Sequence, residues 1–102
     1  MTEPHFSLKV FDNFQYGESY LHGKYGSYEE ALRAAEMIVE EFIESNHKPG
    51  MSAAELAASF ALYGEEAVVL DVTTNRMDNR FSARKYAALY SQRYCDEQNQ
   101  PT

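Results

Sequence analysis

A chain of 102 residues, 44% of them hydrophobic and with eight tyrosines and six phenylalanines, is one domain long and can bury a core unaided by a metal or a disulfide frame. Its formal charge of −7 repels phosphate backbones, which disfavours nucleic acid as a partner. The single cysteine, Cys95, excludes an internal disulfide, no signal-peptide pattern opens the chain, and no apolar run approaches the ~18 residues that span a bilayer, so a cytoplasmic protein without membrane contact is expected.

Phe6, Leu8 and Val10 alternate with Ser7 and Lys9, the period of two that marks a strand with one buried face. Asp12, Asn13 and Gly17 bracket a turn-rich loop, after which Ser19 to Tyr25 reads as a second strand paired with the first as a hairpin. Ser27 followed by Glu30 is a capping box. Tyr28, Leu32, Ala35, Val39 and Phe42 then recur at spacings of four and three, opposite Glu29, Arg33, Glu36, Glu40 and Glu44. That pattern predicts an amphipathic helix to about Ser45, stopped ahead of Pro49-Gly50. The acidic charge is concentrated on this helix, not on a tail.

A second capping box, Ser52 with Glu55, opens a shorter helix whose inward stripe is Leu56, Phe60 and Tyr63, with Gly64 as the expected left-handed residue after its end. Met51 and Leu56 stand at the positions of a hydrophobic staple. The β-branched run Ala67 to Val72 predicts a third strand, 73–80 a loop, and Ser82 the cap of a third helix to about Cys95. The expected fold is therefore α+β in the order ββααβα: a three-stranded sheet with its helices packed mainly on one face, forming one domain whose ordered core spans 6–95 between flexible ends.

Several residue constellations invite chemistry and decline it on inspection. Glu44 and His47 stand in Glu-x-x-His spacing, but a carboxylate-bridged metal site needs a second copy on another helix, and none occurs. His5, His22 and His47 lie in different elements, so no metal site is expected. Cys95 falls at the end of a helix where the dipole does not activate a thiolate. No catalytic residue and no cofactor fingerprint is identified.

Two surfaces stand out instead. If Leu8, Val10, Leu21, Tyr25, Val68, Leu70 and Val72 point inward, the outer sheet face carries Ser7, Lys9, Phe11, Tyr20, His22, Lys24, Val69 and Asp71. Lys9, Phe11, Tyr20, His22 and Lys24 then form a mixed cationic and aromatic contact face for a protein partner or a second copy of the chain, with the 12–17 loop beside it. Arg76, Arg80, Arg84 and Lys85 place four cations in ten residues, and the last two fall in the first turn of a helix. Cations beside free helix amides suit an anionic ligand, which makes a small-molecule binder or minor enzyme the alternative to an interaction module. Tyr86, Tyr90 and Tyr94, spaced by four, are expected to pack on the core with their hydroxyls turned to water.

The run Gly23-Lys24-Tyr25-Gly26-Ser27-Tyr28-Glu29-Glu30-Ala31, the connector Lys48-Pro49-Gly50-Met51-Ser52 and the exit Tyr63-Gly64-Glu65 resemble small bacterial proteins of unknown function. These often open with a strand similar to Lys9-Val10-Phe11-Asp12-Asn13. The resemblance extends over residues 6–90 and implies a fold, with no activity and no catalytic residues attached.

Overall fold

A computed structural model describes residues 5–12, 19–78 and 80–98. Seven elements follow in order: β1 (Phe6–Asp12), β2 (Ser19–Tyr25), α1 (Tyr28–Asn46), α2 (Ala53–Tyr63), β3 (Glu65–Asp71), β4 (Arg76–Met77) and α3 (Ala83–Gln98). The sheet is antiparallel with strand order β2-β1-β3-β4. It has four strands, not the expected three, because the segment read as a loop turns back on itself. Asp71 Oδ1 accepts the amides of Thr73 and Thr74, Asn75 takes a left-handed φ of 56°, and the Asp78 amide bonds to the Val69 carbonyl. An aspartate that caps its own turn and an asparagine that tolerates positive φ are enough to close a hairpin. Residues 1–4, 13–18, 79 and 99–102, which include most of the 12–17 loop and the chain ends expected to be flexible, lie outside the described residues.

Helix α1 begins where its cap predicts, with Ser27 Oγ accepting the Glu30 amide. At α2 both arms of the capping box are made, Glu55 N to Ser52 Oγ and Ser52 N to Glu55 Oε1. Gly64 ends α2 differently from expectation: its φ is −79°, and its amide bonds to the Phe60 carbonyl. Glycine is required there for room, not for handedness. A Cβ at residue 64 would lie 2.5 Å from the Phe60 ring and 2.7 Å from the Phe60 backbone oxygen.

The core has two parts, joined by α1. Beneath the sheet, Leu8, Val10, Ala67 and Val69 meet Ala31 and Ala35. Farther along α1, Val39 and Ile43 meet Leu56 and Phe60 of α2 and Ala83, Ala87 and Cys95 of α3. Phe81 packs against both. The radius of gyration is 14.8 Å, against about 13 Å for a compact chain of this length, and the principal extents are 48 × 32 × 19 Å. The molecule is a flat slab whose sheet is covered on one side.

The inward set of β3 differs from expectation. Val69 and Ala67 face the helices, and Val68 and Leu70 face out, because β1 and β3 pair Leu8 with Val69 and Val10 with Ala67. A nearly unbroken apolar run satisfies either parity of a strand, and the helix took the smaller pair. Ala31 and Ala35 lie close above them, where a bulkier residue than Ala67 would hold α1 away. In β2 the ladder slips between Leu8 and Lys9, so that these residues pair with Gly23 and Leu21 and leave His22 as the extra residue of a bulge. Beyond the bulge every side chain changes face.

Candidate functional site

The bulge and the parity of β3 rewrite the outer sheet face. Lys9 and Lys24 are on it as expected, and so is Phe11, whose ring lies 5.6 Å from Lys9 Nζ. Tyr20 and His22 are not: both line a hollow on the helix side of the sheet. Their places are taken by Leu21 and Val72, assigned to the core from sequence but 55% and 46% exposed. The ladder places Leu21 and Val68 on either side of Lys9, and Lys24 and Leu70 on either side of Ser7. Met77 pairs with Leu70 and is 59% exposed. A shallow depression on this face is lined by Ser7, Lys9, Leu21, Lys24, Leu70, Val72 and Asn75, all from strands and their turn and none from a helix. Glu66, opposite Phe11, shares the face. The surface is an apolar strip studded with two lysines on an otherwise acidic protein.

The helix-side hollow has a volume of about 350 Å³. It is lined by Tyr20 and His22 of β2, by Ile38, Glu41, Phe42, Ser45 and Asn46 of α1, and by Tyr63 and Glu65 at the passage from α2 to β3. Tyr20 donates a hydrogen bond of 2.9 Å to Glu65, which, after burial, raises the phenol above its ordinary ionisation range. The sequence signal that could have located this hollow is the bulge itself, since Gly23 within a strand marks a place where pairing shifts.

The basic segment does not converge. Arg80 ion-pairs with Asp78 and lies flat over Tyr28, its guanidinium carbon 3.6 Å from the ring centroid. Its hydrogen bonds hold the Asp78 carboxyl below its usual value. Arg76 sits on β4, while Arg84 and Lys85 are exposed in the first turn of α3. Neither hollow is lined by any of the four.

The tyrosine stripe of α3 packs on the helical core as expected, but its hydroxyls meet carboxylates and not water alone. Tyr86 donates to Glu40, Tyr90 donates to Glu44 at 2.9 Å, and Tyr94 meets His47 edge to face at 5.2 Å. The Glu44–His47 pair is thereby explained as one rail of a ladder between α1 and α3. Burial pushes Glu40 up, but the hydrogen bonds from Arg33 and Tyr86 outweigh it, and the carboxyl titrates below its ordinary value. Burial first, and then the hydrogen bond to Glu44, pushes Tyr90 up to about 12, while burial and the hydrogen bond to Glu40 raise Tyr86. The folded chain thus holds both phenols protonated beyond the pH at which an unfolded chain releases them. Their stabilisation is complete below pH 10 and is lost as pH rises through the folded values. Thermal unfolding followed by circular dichroism is expected to show a midpoint that falls between pH 10 and 12, and a Tyr86→Phe, Tyr90→Phe double variant is expected to flatten that fall. An unchanged slope in the double variant would remove the ladder as its cause.

Cys95 is buried, its Sγ 3.8 Å from the Met51 carbonyl. Among the described residues no cluster of His, Cys, Asp and Glu has the geometry of a metal site, and no helix is long and apolar enough to cross a membrane. No family model matches the chain, and no curated protein or solved structure matches it.

Proposed function

We propose that the chain is a non-enzymatic protein-interaction module that docks a protein partner on the open face of its sheet. The observation that carries this is the exposure of Leu21, Val72 and Met77 beside Val68 and Leu70 on a face that, among the described residues, no helix covers. Soluble domains seldom leave a joined apolar strip bare unless something covers it. Lys9 and Lys24 give the strip a local positive sign, so the partner it fits presents an apolar edge flanked by carboxylates. The resemblance to small bacterial proteins of unknown function adds no activity to this reading.

The test is a photo-crosslinking residue installed singly at Leu21, at Val72 and, on the helical layer, at Leu89, which is 71% exposed. Crosslinking in cells of the source organism is expected to give one discrete adduct from positions 21 and 72 and none from 89. Reversing Lys9 and Lys24 to glutamate is expected to weaken that adduct at least severalfold. Equal capture at all three positions, or at 89 alone, would contradict the proposal.

A further inference from the structure

The hollow on the helix side combines features that neither the sheet face nor the core requires. Its lining includes the apolar side chains of Ile38 and Phe42 and two exposed tyrosines, Tyr20 and Tyr63. Two carboxylates, Glu41 from α1 and Glu65 from the start of β3, reach it from different elements. No lysine or arginine lines it, and among the described residues no cation stands within ion-pairing distance of either carboxylate. The ion pairs of the described residues lie elsewhere, Glu36 and Glu40 with Arg33 and Asp78 with Arg80. Glu65 is held by the Tyr20 hydroxyl, which fixes its direction without neutralising it.

We infer that this hollow is a binding site for a small organic cation, an alkyl- or arylalkyl-ammonium or guanidinium compound. The charged head sits between Glu41 and Glu65 against the faces of Tyr20 and Tyr63, where carboxylates and ring quadrupoles both attract it. The hydrocarbon part lies on Ile38 and Phe42. The side chains of Ser45 and Asn46 offer further polar contacts, although Asn46 already donates to the Phe42 carbonyl and presents its oxygen instead. A volume of about 350 Å³ suits a molecule of small-metabolite size. Anions are excluded by the same two carboxylates. The site shares strand β2 with the open face but none of the residues that line it, so the two are independently testable.

The experiment is a titration of the isotope-labelled full chain with phenethylamine and with agmatine, followed by amide and side-chain NMR shifts. Hydrocinnamate, which has a similar skeleton and the opposite charge, serves as the control. Saturable shifts at Tyr20, Glu41, Phe42, Tyr63 and Glu65 are expected with the amines and none with the carboxylate. Glu41→Gln and Glu65→Gln are each expected to weaken binding about tenfold, the loss of one charge-assisted contact. Glu30→Gln, an exposed change in the first turn of the same helix, is expected to leave it unaltered. All of these are surface substitutions that leave the core in place. No saturation by either amine, equal response to hydrocinnamate, or equal loss in Glu30→Gln would overturn the inference.

Discussion

Phe60→Ala is expected to cost about 3–5 kcal/mol of folding stability, the range for removing a large aromatic from a well-packed core. A domain of this length is held by roughly 5–15 kcal/mol in total, so the variant loses much of its margin and melts many degrees lower. The reason is the position of the ring. Phe60 is fully buried, meets Phe42 of α1 edge to face at 5.5 Å, and lies under the chain where α2 turns into β3 at Gly64. It lies where the helical core meets the strand that carries Val68 and Leu70 of the open face. Neighbours cannot easily close over the gap, because the closest backbone is already fixed by the Gly64 amide bonded to the Phe60 carbonyl at 2.8 Å. Urea unfolding of the two proteins side by side measures the loss, and a difference below about 1 kcal/mol would show that the ring is not the joint described.

Much of this architecture is legible in the sequence, and the parts that are not have definite causes. All three helices start at side-chain caps, Ser27, Ser52 and Ser82, whose chemistry is local and therefore readable. Leu8 and Val10 are buried as their alternation with polar residues requires. Alternation fails at Ala67 to Leu70, where apolar residues occupy both parities and only pairing with β1 decides which set turns inward. It fails again at Tyr20 and Leu21, since a bulge reverses the faces beyond it and only Gly23, which an alternation pattern passes over, marks the place. The fourth strand has two residues, too few for any period. The candidate sites inherit these errors. Lys9, Phe11 and Lys24 stay on the open face, while Tyr20 and His22 turn to the hollow on the helix side. The cluster of basic residues from 76 to 85 is close along the chain, but Arg80 is spent on Asp78 and Tyr28.

Everything proposed for the open face depends on which side of β3 is bare, and two neighbouring substitutions decide it. Val69 is 1% exposed among Leu8, Val10, Ala31 and Ala35, so an aspartate there has neither water nor a cation and costs several kcal/mol, enough to unfold most of the chain. Val68 pairs with Lys9 on the other side, so an aspartate there meets an ammonium group and loses only strand propensity, about 1 kcal/mol. Urea unfolding of Val68→Asp and Val69→Asp at neutral pH is the direct measurement. Here a cooperative transition close to the parent's is predicted for the first and a largely unfolded baseline for the second. The opposite order, with Val69→Asp folded and Val68→Asp unfolded, would mean that Val68 and Leu70 lie under the helices and that the proposed docking strip does not exist.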